Sequence, residues 1–315
     1  MLTKEDKKNR AGKGGASDVY TILGLNKNET PCEYVSRWLG LLGEKEGTPP
    51  MIAGNIMEAP IGGFYMKLTG KVITPACGTT YVHPDYPWKI SHPDYFDEYG
   101  NPVEIKNVGA YSAHLWGPDG SDEVPLGPLC QVIDQATLTK RNKAIIVAYF
   151  GGADLRVYPL KISEEVKEKQ LKRVVAFYER YLEPGILPPV TGRDTSILNS
   201  IYDEKKGVEK SADSSVLDAV KKYKYYKAQI EECKKLVDEA SAEIKVYMKE
   251  ATRLVDGGIP ILAWDRNKDS EKIDYKGLIK HLDVDDHIIH KFTEKRPGAR
   301  PLRILNVKKE ATNDK

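Results

Sequence analysis

Two periods of hydrophobic and polar residues recur along the chain, and each predicts a different kind of element. A nearly continuous apolar run at 144–150 predicts a strand that is central in the sheet and covered on both faces, and a second run at 155–160 predicts its neighbour. Apolar positions spaced three and four apart predict helices, whose starts are marked by Thr, Ser and Pro and whose stops are marked by Gly. These helices are expected to begin at Thr30-Pro31, at Pro49-Pro50 with a stop at Gly70, near Leu129, and after Ser163.

Residues 88–106 predict a β-hairpin that carries polar groups on one face. If its turn is centred near Tyr99, antiparallel pairing places Asp94 opposite Glu104. Side chains on a strand repeat every two residues, so Lys106 shares the face of Glu104 while the intervening apolar residues point into the core. Two carboxylates suit Mg²⁺, which binds through one or two carboxylates and keeps several waters. The lysine beside them would orient or deprotonate an attacking water.

An acidic residue two positions before a lysine is common in this chain, so the hairpin triplet needs support from its context. On its own, such a triplet is typical of a solvated face. A Pro-Asp pair ten residues upstream, across the hairpin, distinguishes the triplet at Glu104. A second Pro-Asp pair ends at Asp85, but its partner across the same hairpin would be Ala113, beyond the triplet. Asp94 is therefore the preferred ligand. The same triplet pattern recurs at 165–167, 243–245 and 274–276.

Composition allows several function classes and argues against others. The chain has 315 residues, 40% hydrophobic and 30% charged, which is enough for one large or two modest cores. A formal net charge of +2 neither requires nor excludes a nucleic-acid partner. No apolar run is long enough to span a bilayer, so a soluble, reducing, cytoplasmic setting is expected. The widely spaced cysteines predict no zinc site, iron–sulfur cluster or disulfide framework; they are Cys32, Cys77, Cys130 and Cys233.

Changes in pattern divide the chain into four predicted parts. Residues 1–190 read as a mixed α/β core, and 191–215 lack a sustained period and read as a linker. Residues 216–256 carry a narrow apolar seam with charged flanks, which predicts one long helix or a helical hairpin with coiled-coil packing within or between chains. Residues 257–315 read as a small α/β appendage that ends in a strand near 302–307. Its tail is basic, and either a DNA-tracking surface or a solvated tail would explain that.

A glycine-bearing turn near the N-terminus is a candidate phosphate site. Lys13 and two glycines precede Ser17 and Asp18, either of which could cap the helix that follows. Backbone amides at such a turn can receive a phosphate. The same residues are also an ordinary way to begin a helix.

Five segments together resemble, in order and spacing, the YqaJ viral recombinase family. These are the phage-type relatives of lambda exonuclease among the PD-(D/E)xK nucleases. Each segment is weak evidence alone, but their joint order over the first half of the chain is specific. The segments are KGGASDVYTILGL at 13–25, GNIMEAPIGGFYMKLTGKVI at 54–73, HPDYPWKISHPDYF at 83–96, VEIK at 103–106 and LCQVIDQATLT at 129–139.

The resemblance implies a PD-(D/E)xK core, with a mixed central β-sheet flanked by helices, and assigns roles to its polar residues. Asp94, Glu104 and the Ile105 carbonyl would hold Mg²⁺, for which Mn²⁺ could substitute. Glu58 falls where the family has a glutamate facing the metal site, so it would bind a second metal or a water. Gln131 would position a phosphate or the catalytic lysine.

The resemblance also implies an activity and partners. Lys13 and Ser17 would grip the DNA backbone, although a lysine lacks the bidentate fork of the arginine that some relatives carry there. The expected enzyme is a 5′-to-3′ exonuclease on double-stranded DNA ends, assembled as a ring-shaped trimer and working with a single-strand annealing protein. His92 and Tyr95 flank Asp94 where relatives prefer small residues. Two alternatives remain open: a nicking or restriction-type endonuclease on the same core, and a non-catalytic DNA-binding or assembly protein.

Overall fold

The computed structural model describes residues 12–43, 47–294 and 301–303. The chain divides into two compact units, residues 1–204 and 205–315, and the division falls within the segment predicted as a linker. No helix in the described ranges is long and apolar enough to cross a membrane.

A five-stranded mixed sheet is the centre of the first unit. Its strand order is β1 (Ile73–Pro75), β4 (Tyr95–Asp97), β5 (Pro102–Asn107), β6 (Lys143–Tyr149) and β7 (Leu155–Lys161), so β5 is the middle strand. β5 and β6 run parallel, and the other neighbours are antiparallel. The predicted class, mixed α/β with a mixed central sheet flanked by helices, is confirmed. The strands of this unit are β1 Ile73–Pro75, β2 Tyr81–Val82, β3 Ile90–Ser91, β4 Tyr95–Asp97, β5 Pro102–Asn107, β6 Lys143–Tyr149 and β7 Leu155–Lys161.

Local capping signals place the helices as predicted. The Thr30 hydroxyl accepts a hydrogen bond from Glu33 N at 3.0 Å, and the Ser163 hydroxyl accepts one from Val166 N at 3.3 Å. Gly70, with φ of 70°, ends the helix that begins at Pro49. The helices are α1 Val19–Ile22, α2 Pro31–Trp38, α3 Pro49–Thr69, α4 Leu126–Leu138, α5 Glu164–Phe177 and α6 Thr195–Ile201. Three 3-10 turns, Ala16–Asp18, Ala110–Leu115 and Gly192–Asp194, and one π-helical turn, Tyr178–Leu182, complete the unit.

Helices cover both faces of the sheet. On one face, α3 packs Ile61 and Tyr65 against Val103, Ile105 and neighbouring strands. On the other face, α4 packs its apolar side against β6 and β7. β6 is therefore an inner strand covered on both faces, as predicted, although β5 rather than β6 occupies the middle of the sheet.

The hairpin has the predicted register but a different first strand. Tyr95 pairs with Val103, and the turn is fixed by Asp97, whose Oδ1 accepts from Tyr99 N at 3.0 Å and Asn101 N at 2.7 Å. The run at 88–91 was expected to supply the first hairpin strand. Instead, β3 pairs with β2 in a separate two-stranded sheet, because the chain turns at 92–94 before it meets β5.

The second unit contains one continuous 35-residue helix, which is the single-helix form of the two predicted options. It is followed by a β-hairpin and two short helices. The strand expected near 302–307 lies almost wholly outside the described residues, as does most of the basic tail. The elements of this unit are α7 Ser214–Met248, β8 Arg253–Asp256, β9 Ile259–Ala263, α8 Tyr275–His281 and α9 Asp286–Lys291.

Two adjacent glycines of α3 give a matched test of how this helix meets the hairpin. A Cβ added at Gly62 would lie 2.9 Å from the Tyr95 ring, whereas one at Gly63 would meet nothing within 4 Å. We expect Gly62→Ala to lower the free energy of unfolding by ~1–3 kcal/mol through overpacking. Gly63→Ala should raise it by ~0.4–1 kcal/mol because alanine restricts the unfolded chain. Urea denaturation followed by circular dichroism measures both, and equal effects would contradict the close contact.

Candidate active site

The hairpin register brings Asp94 next to β5. Because Tyr95 pairs with Val103, the same register places Asp94 opposite Glu104. The Asp94 side chain is fixed by Ile105, whose N–H donates to Oδ2 at 2.8 Å. Its backbone carbonyl accepts from Ala76 N at 3.0 Å, which ties the residue to the end of β1. Asp94 is therefore held from two sides.

The direction of the Ile105 carbonyl follows from the hydrogen bond of its own N–H. The Ile105 N–H donates to Asp94 Oδ2 at 2.8 Å. In a β-strand the N–H and the C=O of one residue point to the same side. The Ile105 carbonyl therefore lies on the same side of β5 as the Asp94 carboxylate.

Glu104 is a buried carboxylate with hydrogen-bond donors at both of its oxygens. The residue is 3% exposed. Its Oε1 accepts from Lys106 Nζ at 2.6 Å and from Gln131 Nε2 at 2.7 Å, and its Oε2 accepts from Gln135 Nε2 at 2.5 Å. Burying a carboxylate is costly unless it is paired and hydrogen-bonded, and three donors offset that cost. The orientation of Glu104 is therefore fixed by its surroundings.

Lys106 lies between Glu104 and Gln131. Its Nζ donates to Glu104 and also to Gln131 Oε1, at 2.8 Å. Burial lowers the pKa of the Lys106 ammonium, but Glu104, Asp94 and Glu58 together raise it above its ordinary value. In this arrangement the side chain is a cation that can orient a water or stabilise developing negative charge.

Glu58 faces the same group of charges from α3. It precedes Gly62 by four residues and so shares the helix face that packs on Tyr95. Burial raises the pKa of the Glu58 carboxyl, and Glu104 adds to the rise. Burial, Glu104 and Glu58 likewise raise the pKa of Asp94 well above its ordinary value. The three carboxylates are thus close enough to influence one another's pKa, and Lys106 lies among them.

This donor set fits a hard divalent cation. Two carboxylates, Asp94 and Glu104, and the Ile105 carbonyl are oxygen ligands of the kind that Mg²⁺ and Mn²⁺ bind. In the described part of the chain, no three His, Cys, Asp or Glu side chains are grouped closely enough to hold a metal by themselves. The remaining coordination would thus fall to main-chain oxygen, water and substrate, as is usual for Mg²⁺.

Gln135 is a site residue that the sequence interpretation missed. It is fully buried, donates to Glu104, and follows Gln131 by four residues on the same face of α4. Its Oε1 has no hydrogen-bond partner among the described residues. The i,i+4 spacing of two glutamines was the available signal, although it becomes meaningful only once α4 is known to face β5.

The N-terminal turn is joined to α4 by an ion pair that the sequence did not reveal. Gly14 N donates to Trp88 O at 2.8 Å, and Ile90 N donates to Gly14 O at 3.0 Å. Lys89, which is 0% exposed, places its Nζ 2.7 Å from Asp134 Oδ2 on α4. The turn that carries the predicted phosphate ligands is thereby held against the helix that carries Gln131.

Lys13 and Ser17 do not join the cluster around Glu104 directly. Lys13 is half-buried, and Ser17 is exposed on the Ala16–Asp18 turn, which packs against α4. The expected helix cap takes another form, because the Asp18 Oδ2 accepts from Gly15 N at 2.8 Å and Ser17 caps nothing. The roles of Lys13 and Ser17 in phosphate binding stay predictions.

The structure thus brings Asp94, Glu104, Ile105, Lys106 and Gln131 together. Comparison with known proteins shows which protein family contains a similar segment. Residues 7–142 match the YqaJ-like viral recombinase domain. This part of the chain is similar to that domain. The family resemblance read from the sequence is confirmed, and it supports a phage-type nuclease.

One relative extends the sequence match beyond that domain, and solved structures resemble part of the chain. The chain is 24% identical over 257 residues to the uncharacterized protein YqaJ of Bacillus subtilis strain 168, covering 77% of this chain and 76% of that protein. An alkaline exonuclease from Laribacter hongkongensis superposes with a TM-score of 0.49 at 20% identity, covering 58% of this chain and 93% of the other. A phage-related exonuclease from Haemophilus somnus 129PT gives a TM-score of 0.42 at 13% identity, covering 55% and 96%.

The buried ion pair between Lys89 and Asp134 gives a stability prediction. We expect Lys89→Met to lower the free energy of unfolding by ~3–5 kcal/mol, because Asp134 would remain buried without its partner. Replacing both residues, as Lys89→Met with Asp134→Leu, should recover most of that loss because no charge is then left buried. Urea denaturation measures both variants. A double variant as unstable as Lys89→Met alone would show that the loss comes from packing rather than from charge.

Proposed function

We propose that the protein is a divalent-metal-dependent deoxyribonuclease that degrades double-stranded DNA from its ends in the 5′-to-3′ direction. The observation that carries this proposal is the contact of Asp94 with β5, where the Ile105 N–H donates to Asp94 Oδ2 at 2.8 Å, next to Glu104, which binds Lys106 Nζ at 2.6 Å. The YqaJ-like match over the same residues supports a nuclease of the phage recombination type. The polarity and the preference for duplex ends rest on the family.

Asp94, Glu104 and the Ile105 carbonyl would hold Mg²⁺ or Mn²⁺, with Glu58 assisting a second metal or a water. When bound, the metal supplies Lewis-acid polarisation of the scissile phosphate and lowers the pKa of a water. The protein residues have the remaining tasks. Lys106 orients the attacking water or stabilises the charge that develops on the phosphate, and Gln131 holds the Lys106 ammonium in place through Oε1.

DNA would approach along the surface that the N-terminal turn shares with α4. Lys13 and Ser17 would contact backbone phosphates there, and Lys89 would hold the turn in place against Asp134. We also propose a ring-shaped trimer around the duplex, and a single-strand annealing protein that receives the exposed strand. Both rest on the family resemblance.

A time course on DNA of defined topology tests the activity. Linear duplex labelled at either 5′ end or at either 3′ end should lose nucleotides from its 5′ ends when Mg²⁺ is added, and covalently closed circular duplex should stay intact. Nicking or linearisation of the circle would show an endonuclease on the same core. Binding of DNA without cleavage, with Mg²⁺ or Mn²⁺, would show a DNA-binding protein that does not cut.

The two Pro-Asp pairs give a matched pair of variants. Asp94→Ala removes a hard oxygen from the proposed metal site, so we expect loss of Mn²⁺ binding in calorimetric titration and loss of cleavage. Asp85 is exposed, its backbone N–H donates to His83 Nδ1, and its side chain lies outside this set of contacts. Asp85→Ala should therefore change neither. The opposite pattern would contradict the assigned ligand.

Lys106→Ala should inactivate the enzyme by a different route. Removing a cation beside two carboxylates leaves metal binding intact or tightens it, while cleavage should fall by ~10²–10³-fold. Calorimetric titration with Mn²⁺, combined with single-turnover cleavage, separates this variant from Asp94→Ala. Activity within twofold of the parent would rule out a catalytic role for Lys106.

A further inference from the structure

The long helix α7 carries an uninterrupted apolar heptad repeat. With Val216 as position a, five successive heptads have an apolar residue at every a and every d position. A repeat sustained over more than three or four heptads is the signature of a coiled coil. The ten residues, called here the α7 seam, are Val216, Ala219, Tyr223, Tyr226, Ile230, Cys233, Val237, Ala240, Ile244 and Tyr247.

Large members of the α7 seam are open to solvent in the described part of the chain. Tyr226 is 61% exposed, Ile230 50%, Val237 66% and Tyr247 77%. The middle of the seam forms one continuous apolar patch of Tyr226, Ile230, Cys233 and Val237, with polar residues at its edges. The opposite side of the helix, position f, carries only lysine and alanine. An exposed apolar stripe of this length marks an interaction surface.

We propose that the α7 seam pairs with the α7 seam of a second copy of this chain, as an antiparallel two-stranded coiled coil. The helix has 35 residues and is thus ~50 Å long, which is enough for five interlocking heptads. This pairing is independent of the nuclease chemistry, because it uses neither the hairpin nor α4.

The sizes of the seam residues favour a second copy of this chain as the partner and an antiparallel direction of pairing. In an antiparallel pair each a residue faces a d residue of the other helix, which here sets a large side chain against a small or medium one. The layers would be Val216–Tyr247, Tyr223–Ala240, Ile230–Cys233, Val237–Tyr226 and Ile244–Ala219. A parallel pair would set each residue against itself, so Ala219 and Ala240 would leave gaps while the tyrosines would crowd.

Charges beside the α7 seam favour the same direction. In the antiparallel pair Lys222 faces Glu243 of the other helix and Lys227 faces Lys234, and each of these pairs occurs twice by symmetry. Glu231 lies beside those two lysines and binds Lys234 Nζ at 2.9 Å, which offsets their repulsion. In a parallel pair Lys222 would face Lys227 and Glu243 would face Met248, so the attraction between Lys222 and Glu243 would be lost.

Oligomeric state tests the pairing, and α7 offers a matched control. Ile230→Asp places a charge at the centre of the seam, whereas Ala228→Asp places the same charge two residues away at an outward f position. Light scattering on the full-length protein should give Ile230→Asp half the molar mass of Ala228→Asp and of the parent. Val237→Asp, with helix content checked by circular dichroism, guards against a local folding defect at Ile230. Equal mass for all these variants would overturn the proposal, whatever that mass is.

Crosslinking tests the direction. In a background with Cys77→Ser and Cys233→Ser, a tagged Tyr223→Cys chain mixed with an untagged Ala240→Cys chain should form a mixed disulfide dimer on mild oxidation. Neither variant alone should crosslink efficiently. Efficient crosslinking of Ala240→Cys with itself, and none in the mixture, would show a parallel pair and overturn the antiparallel assignment. If the seam binds a different protein instead, α7 would not join two copies of the parent chain, and no mixture would give a crosslink.

Discussion

The buried carboxylate of Glu104 is the constraint on which the site depends. A carboxylate that is 3% exposed must have donors at both oxygens, and here they come from two elements: Lys106 from its own strand, and Gln131 and Gln135 from α4. Those contacts fix α4 against β5 at one rotation, since two glutamines four residues apart must reach one carboxylate. The hydrogen bonds that offset the cost of burying the Glu104 charge therefore also fix the orientation of the site.

Helix α4 also fixes the positions of other elements of the first unit. On its apolar side it packs on β6, with Ile146 and Ala148 among its neighbours, and on another side Asp134 binds Lys89. Lys89 stands between Trp88 and Ile90, the two residues that hydrogen-bond to Gly14. A buried pair of this kind is weak evidence for stability, because desolvation offsets attraction, but it specifies one arrangement of the turn relative to the helix. Substrate contacts at the N-terminal turn and chemistry at Glu104 would then share one rigid support.

The second unit differs from the first in how its main helix is stabilised. Its long helix has few apolar contacts in the described residues, so its apolar stripe is not explained by a core of its own. A helix with this pattern gains most of its stability from packing rather than from propensity. Pairing between copies would supply that packing through the second unit, whereas the proposed nuclease site belongs to the first.

Local signals in the sequence determined much of this protein. The caps at Thr30 and Ser163, the stop at Gly70, and the hairpin register that sets Asp94 opposite Glu104 all depend on residues close in the chain, so periodicity and turn chemistry suffice to place them. The family resemblance added Gln131 and Glu58 as candidates, which contacts and charges now place near Lys106.

Tertiary structure alone decided the rest. Some features join segments that are distant in sequence, and others depend on which of several similar residues becomes the partner. They are the pairing of β3 with β2, the middle position of β5, the second glutamine at Gln135 and the ion pair of Lys89 with Asp134. A lysine or a glutamine in the sequence reads as surface by default. The packing of α4 onto the sheet buries these side chains, so that Gln135 donates to Glu104 and Lys89 donates to Asp134 and to the Gly14 carbonyl.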